Sequence, residues 1–279
     1  MSREKCRRLS LFLTFILLVS VLLGCADKAP VTTSPENPSP SSEPVIASPP
    51  APTPEPEPQP LDFTWQPYVY SDIYNRAFGE EMQLYCHAMI DAMMIGAESV
   101  AYPDEATIYD FEMVIRALFP PYHLLVSGIS YSDGTIHLDY ALDDAQRKQL
   151  LDKFGEQITM LIQSAVMQGD SPAMAAVALY HAYAGMTVYD HEAAADDDVI
   201  TDVSSYQALT ELSGICQSFA AAYAYLCLQC GIDAVNAGGM TESYDEAHDW
   251  TLLTLDGNTI IAIPPLKMAS ALWACAISA

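Results

Sequence analysis

The chain has 279 residues, 51% of them hydrophobic, and its 36 Asp and Glu against 11 Lys and Arg give a formal net charge of −25 at pH 7. Such a chain is long and apolar enough for one large globular domain or two small ones. Its charge excludes a surface that binds nucleic acid or anionic lipid headgroups, because like charges repel. The acidic surface favours cationic partners or simply keeps the protein soluble, and the sequence leaves both open.

The first 25 residues are typical of an export signal. A basic stretch precedes an apolar run over residues 9–23, which is short for a membrane span. The run ends in Leu22-Leu23-Gly24-Cys25, which resembles a bacterial lipobox, where the chain is cut before the Cys and the thiol carries a diacylglycerol. We therefore expect a lipid on Cys25 and a protein held on the extracytoplasmic face of the cell membrane. A plain secretory signal or an uncleaved anchor is the alternative.

Removal of this signal makes the chain more acidic. Four of the 11 Lys and Arg and one of the 36 acidic residues precede Cys25, which leaves 7 against 35 and a net charge of −28. Residues 26–61 hold twelve of the nineteen prolines. Such a segment is expected to be extended or disordered, with a reach on the order of 100 Å in polyproline II form.

Residues 62–170 are predicted to form an α+β region. Helices are expected over residues 74–95, from Asp104 to residue 119, and from Asp143 or Asp144 to about residue 167. The segments 124–131 and 135–141 alternate around Ser132-Asp133-Gly134, which predicts a β-hairpin. No chemistry is evident in this region, which is expected to serve in packing or substrate recognition. Three isolated histidines are predicted to be structural or solvated: His87, His123 and His137.

Residues 171–279 are predicted to be a second α+β region. Ser171 with Pro172 predicts a helix to about residue 185. The acidic segment 191–198 is expected to be a solvated loop, with calcium binding as the alternative. Further elements are expected at residues 187–189, 206–212 and 232–236, and a strand is expected to carry His248.

Cys216 is the candidate nucleophile. Apolar residues three and four apart after Cys216 predict a helix that ends at Gly231. Cys216 then lies in the first turn, where unpaired N–H groups and the helix dipole favour a thiolate. A thiolate is a nucleophile for amide and ester chemistry and needs a base, for which His248 is the candidate.

These motifs resemble the bacterial transglutaminase-like superfamily. Gly214-Ile215-Cys216-Gln217-Ser218-Phe219-Ala220 is similar to its Gly-Val-Cys-x-x-Tyr-Ala pattern, and His248-Asp249-Trp250-Thr251 to its His-Ala-Trp-Asn. The resemblance covers roughly residues 171–261. It implies a papain-like core, in which the helix that bears the cysteine packs on an antiparallel sheet. It also implies a cysteine amide hydrolase or acyltransferase, such as a peptidase, that acts through a thioester on proteins or peptides of the cell wall or surface.

The third catalytic position departs from the family pattern. A turn at Asp256-Gly257 pairs residues whose numbers sum to 513, which places position 263 opposite Trp250 and diagonal to His248. The family has its Asp at this position, whereas this chain has Ile263. Because the imidazole lacks a carboxylate to orient it, we expect this chain to be weak or inactive.

A frameshift is one hypothesis for this departure. With one base restored after the Thr259 codon, one permitted coding of the following residues reads Tyr-Tyr-Cys-Asp-Pro-Thr-Phe-Glu-Asp-Gly, with Asp at position 263. The C-terminal region is then truncated or frameshifted after about residue 259.

The remaining cysteines predict neither a disulfide framework nor a metal site. Cys227 and Cys230 have redox spacing but fall late in an apolar helix, so buried hydrophobic roles are expected. Cysteine and histidine spacing gives no zinc pattern, and we expect no metal and no cofactor. A non-catalytic surface module that keeps the fold is the alternative to the enzyme.

Overall fold

The computed structural model describes residues 57–195, 205–240 and 247–262. The predictions for the signal segment, Cys25, residues 26–56, the Asp residues at 196–198, Ile263 and the frameshifted end lie outside the described residues. The described residues belong to one compact unit. No helix among them is long and apolar enough to cross a bilayer.

The fold is α+β, as predicted, with antiparallel sheets and helices of very different lengths. The first region contains α1 (Asp72–Phe78), α2 (Glu80–Ile95), β1 (Ser99–Ala101), α3 (Ile108–Leu118), α4 (Tyr122–Leu125), β2 (Val126–Ser132), β3 (Thr135–Tyr140) and α5 (Asp144–Ala165). The second contains α6 (Pro172–Met186), β4 (Val188–Tyr189), α7 (Ser205–Thr210), β5 (Ser213–Gly214), α8 (Cys216–Gln229), β6 (Ala234–Met240), β7 (Ala247–Leu255) and β8 (Asn258–Ala262). Short 3-10 turns occupy Glu105–Thr107 and Ala193–Ala195.

Three sheets connect these elements. Strands β1, β3 and β2 form one antiparallel sheet in that order, and β6, β7 and β8 form another. The two-residue strands β4 and β5 pair in parallel. Helix α8 packs on β6 and β7, which is the predicted arrangement of the cysteine-bearing helix on an antiparallel sheet.

Local signals explain several element ends. Asp143 caps α5 by accepting from the Gln146 N–H at 2.9 Å, and Ser171 caps α6 ahead of Pro172. Asp133 and Gly134 both have positive φ at the β2–β3 turn, as the Asp-Gly pair predicts.

The structure corrects three predicted boundaries. The helix expected over residues 74–95 is broken into α1 and α2 at Gly79, because a φ of +87° cannot continue a helix. The last residues of the predicted linker are paired, since the Leu61 N–H donates to the Val166 carbonyl at 2.8 Å. The strand expected at residues 232–236 begins at Ala234 and extends to Met240, through two glycines.

A continuous core joins the regions on either side of residue 170. The Trp65 ring packs edge-on against Phe154 with centroids 5.6 Å apart, and its Nε1–H donates to the Tyr225 hydroxyl at 2.7 Å. Tyr225 is fully buried in the middle of α8. The first region therefore packs against the helix that carries Cys216.

Candidate active site

Cys216 is the first residue of α8, so it lies in the first turn as predicted, and it is partly exposed. Strand β5 ends two residues before it, and Ile215 at the N-cap position is extended with φ −114° and ψ 179°. The N–H groups of the first helical turn have no carbonyl four residues earlier in the helix to accept from them. An exposed face of this turn can therefore offer a thiol and backbone donors together.

The Ser218 hydroxyl closes the turn that holds Cys216. Its oxygen accepts from the Ile215 N–H at 2.9 Å, and its proton is donated to the Ile215 carbonyl at 3.0 Å. A Cβ at Gly214 would lie 2.3 Å from this oxygen, so the position requires glycine. Gly214 and Ser218 of the sequence motif thus build the turn.

His248 is the second residue of β7 and is only 7% exposed. Its Nε2 atom is buried and has no hydrogen-bond partner among the described residues. Burial lowers the pKa of the imidazole from its ordinary value, and the neighbouring Asp249 carboxylate opposes that shift. The imidazole is therefore neutral near pH 7, which is the form that accepts a proton.

Cys216 and His248 lie at the same end of the layer formed by α8 and the β6–β8 sheet. The chain turns back after α8 to form β6, and β7 is antiparallel to β6, so β7 runs in the direction of α8. The Thr251 hydroxyl donates to the Ala220 carbonyl at 2.8 Å and joins β7 to α8. Cys216 precedes Ala220 by about 6 Å of helix, and His248 precedes Thr251 by about 10 Å of strand.

The His248 side chain lies on the face of β7 that points away from α8. Thr251 faces α8, and the β6–β7 ladder runs without a register shift from Leu253 to Ala247. Because side chains alternate along a strand, His248 and Trp250 lie on the opposite face from Thr251. Among the described residues, His248 Nε2 has no hydrogen-bond partner, so it makes no hydrogen bond with Cys216.

The side chains of the two residues that follow His248 approach the backbone of Gly238 and Gly239 closely. A Cβ at Gly238 would lie 2.5 Å from Asp249 Oδ1, and one at Gly239 would lie 2.7 Å from Trp250 Cη2. Gly239 is also the strand partner of His248. Consecutive glycines before a strand that carries a histidine are a sequence signal for a close approach of side chains to the backbone.

Three other cysteines are poor nucleophiles. Burial raises the pKa of the Cys86 and Cys227 thiols strongly, and it raises that of Cys230 to about 11. Cys227 and Cys230 are both free thiols, as expected for hydrophobic roles late in the helix.

The register of the β7–β8 hairpin, from which the third catalytic position was predicted, agrees with the prediction over the described residues. Leu255 pairs with Asn258 and Thr251 with Ala262, so paired numbers sum to 513. Ile263 itself lies outside the described residues. Asp256 lies in the turn at the other end of β7, with a φ of +50°, and is too far along the strand to orient His248.

Among the described residues, no group of three His, Cys, Asp or Glu side chains could hold a metal ion. The histidines outside the candidate site have local partners. His87 Nε2 lies 3.2 Å from the Val69 carbonyl oxygen, and His137 Nε2 lies 2.9 Å from the Ser132 hydroxyl.

Comparison with known proteins gives partial likenesses of fold. The sequence matches no protein-family model and no curated protein. A solved structure of a proposed cysteine protease from Cytophaga hutchinsonii is 19% identical, with a TM-score of 0.30 over 43% of this chain and 37% of that chain. A solved TGase is 14% identical, with a TM-score of 0.37 over 53% of this chain and 47% of that chain. This chain spans less than half the length of either solved chain, and nothing about activity follows from these likenesses.

Proposed function

We propose that this protein is a cysteine-dependent amide hydrolase or acyltransferase of transglutaminase-like type, with Cys216 as nucleophile and His248 as base. The observation that carries the proposal is that a partly exposed cysteine begins a helix at the same end of the layer as a buried histidine whose Nε2 has no described partner. His248 leaves β7 on the face opposite Thr251. The proposal therefore requires the imidazole to reach the Cys216 sulfur around the end of the layer where β7 begins.

The reaction transfers an acyl group through a thioester. His248 takes the proton of the Cys216 thiol, and the sulfur attacks the carbonyl carbon of an amide. The N–H groups of the first turn of α8 stabilise the oxyanion. The imidazolium then gives its proton to the departing amine as the carbon–nitrogen bond breaks. Water or an amine next attacks the thioester, His248 takes its proton, and the thiol is released.

In this proposal the chain as written is impaired. Ile263 replaces the carboxylate that the resemblance implies, and loss of that group in another triad costs on the order of 10⁴ in turnover. The proposal also includes a lipid on Cys25, a location on the extracytoplasmic face and peptide or protein substrates of the cell wall or surface.

Labelling of Cys216 with iodoacetamide tests the proposed pair. Labelling in the wild type, followed by peptide mass spectrometry, is expected to be at least about tenfold faster than that of a free thiol. His248→Ala is expected to slow it, while His137→Ala, a histidine on a comparable strand, leaves it unchanged. Labelling no faster than that of a free thiol, or no effect of His248→Ala, would contradict catalysis and leave the non-catalytic surface module.

Lipid attachment has a separate test. Expression in a bacterial host with an alkyne-tagged fatty acid is expected to tag the wild-type chain in the membrane fraction and to leave Cys25→Ser untagged. Tagging of neither chain would remove the anchor from the proposal without affecting the Cys216 chemistry.

A further inference from the structure

The β6–β8 sheet has two edge strands, and β6 is the edge that reaches His248. Strands β6 and β8 both pair with the central strand β7. Gly239 of β6 is the partner of His248, whereas β8 as described ends at Ala262, opposite Thr251. The last residues of β6 therefore lie at the end of the layer where β7 and α8 begin.

The ladder register shows which backbone groups of β6 point away from β7. The Thr254 N–H donates to the Asp233 carbonyl at 2.9 Å, just before β6 begins. In an antiparallel pair, residues bonded to the partner strand alternate with residues whose N–H and C=O face the other way. The N–H and C=O groups of Asn236, Gly238 and Met240 therefore point outward, about 6.8 Å apart from one residue to the next of this set.

These outward groups are unpaired within the part of the chain that the structure describes. No backbone hydrogen bond from another described segment reaches Asn236, Gly238 or Met240 on this side. Gly238 is exposed, and Met240 is 63% exposed. A row of unpaired backbone groups at a sheet edge is a template for the pairing of a further strand.

The opposite end of the same edge is covered. The Asp233 Oδ1 atom accepts from the Ser71 hydroxyl at 2.6 Å and from the Ile73 N–H at 3.5 Å, which holds the start of α1 against the start of β6. Ala234, the first residue of β6, is completely buried. The fold therefore protects β6 where it is far from the candidate site and leaves its described backbone unpaired next to the partner of His248.

Backbone geometry and net charge together identify the occupant of this edge. Only an extended chain presents N–H and C=O groups at the spacing of the edge. A folded protein has most of its backbone groups paired internally, so the segment comes from an unfolded or locally opened chain. A second copy of this protein is disfavoured, because a formal net charge of −25 on each copy makes the two repel.

We propose that β6 binds extended, unfolded segments of substrate proteins as a further strand of the sheet, with backbone hydrogen bonds to Asn236, Gly238 and Met240. This inference names a class of substrate and rests on the proposed function only for the reaction that follows binding. The added strand lies about 4.8 Å from β6, at the end of the layer where Cys216 begins α8. Because main-chain pairing reads little sequence, the edge accepts many sequences and rejects folded proteins.

Amide hydrogen exchange of the full chain, resolved by residue, tests this pairing. The chain carries Cys216→Ala, so that the bound protein is not altered. The probe is reduced lysozyme with its thiols blocked by iodoacetamide, which is unfolded and basic, and native lysozyme is the control with the same basic side chains. The unfolded probe is expected to slow exchange of the three outward amides at least about tenfold. The amides of Ala237 and Gly239, which already donate to β7, are expected to change little.

Two edge variants locate the binding. Met240→Pro removes an outward N–H and is expected to weaken binding of the unfolded probe at least about fivefold. Leu255 and Asn258 are a bonded pair beside a two-residue turn, so Thr259→Pro removes an outward N–H from β8 and is expected to leave binding unchanged. Slow exchange at Gly239 in Met240→Pro checks that β6 is still folded. The comparison of the two lysozymes needs neither variant.

Three outcomes would overturn the proposal: no slowing with the unfolded probe, equal slowing with native lysozyme, or equal binding by two folded edge variants. Slowing in the free chain that grows with its own concentration would also overturn it, because the occupant would then be a second copy. The exchange result does not depend on His248, and iodoacetamide labelling of Cys216 does not depend on the β6 edge. Failure of this proposal and failure of the proposed function can therefore be told apart.

Discussion

Two antiparallel sheets of three strands have the same plan and different surroundings. In each, the central strand carries a histidine, His137 on β3 and His248 on β7, and an Asp-Gly turn follows or precedes that strand. His137 is exposed and bonded to the Ser132 hydroxyl, whereas His248 is buried with Nε2 unpaired among the described residues. The β6–β8 sheet also packs against a helix that begins with a cysteine.

The difference shows that strand position alone does not make a histidine a candidate base. Burial removes water from the imidazole of His248 and keeps it neutral, while the ring of His137 has a local hydroxyl partner. Of these two histidines, only His248 lies at the same end of its sheet as a candidate nucleophile, Cys216.

Ile263→Asp is expected to produce the largest change. Ala262 pairs with Thr251, so a ladder that continues by one residue brings position 263 opposite Trp250 and diagonal to His248. A carboxylate there is expected to raise hydrolysis of p-nitrophenyl acetate by about 10² to 10⁴. Ile263→Asn is the control for shape without charge. An equal gain in both variants, or none in either, would contradict the account of impairment.

Gly239→Ala is expected to destabilise the β6–β8 sheet. Its Cβ would lie 2.7 Å from Trp250 Cη2, and relief of that overlap costs about 1–3 kcal/mol. Gly128→Ala in the other sheet places its Cβ 3.7 Å from Asp139 Oδ2, an ordinary contact. Urea unfolding is expected to show a lower midpoint for Gly239→Ala and little change for Gly128→Ala. Similar losses in the two would mean that β6 has no special constraint.

Thr251→Val is expected to loosen the attachment of β7 to α8. The variant keeps the shape and loses the 2.8 Å bond to Ala220, at a cost of about 1 kcal/mol. Thr251→Ser keeps the hydroxyl and loses a methyl group. If the bond positions His248 relative to Cys216, labelling of Cys216 slows several-fold in Thr251→Val and stays near wild type in Thr251→Ser. Equal rates in the two variants would limit Thr251 to a role in stability.

The smallest effect is expected in the pH dependence of stability. Above about pH 6.5 His248 is neutral in the folded and unfolded chains. As the pH falls through that value the unfolded chain binds a proton before the folded one, whose pKa is lowered by burial, so stability is lost until the folded pKa is passed. Each pH unit between the two pKa values is worth about 1.4 kcal/mol.

Comparison with His248→Gln isolates this contribution. The difference in unfolding free energy between the two chains is expected to shift against the wild type as the pH falls below about 6.5. A shift in the opposite direction would mean that the imidazole is charged in the folded chain.

Local sequence signals predicted much of the scaffold. Periodicity and Gly231 placed α8, Asp143 and Ser171 marked helix starts, and Asp256-Gly257 gave the β7–β8 register. Each rests on backbone preferences within a few residues, which the sequence carries directly. The break at Gly79 was missed because an apolar face that continues across a glycine does not reveal a positive φ.

Sequence patterns alone place a thiol at the start of a helix and a histidine in a strand. The fold adds that His248 is buried on the opposite face of β7 from Thr251, that Gly238 and Gly239 lie inside β6, and that the Asp190 N–H donates to the Gly214 carbonyl. The two sets of features differ in how far apart along the chain the interacting residues lie. Turns and caps are set by neighbours along the chain, whereas burial, strand partners and the surrounding charge depend on residues that are close only after the chain has folded.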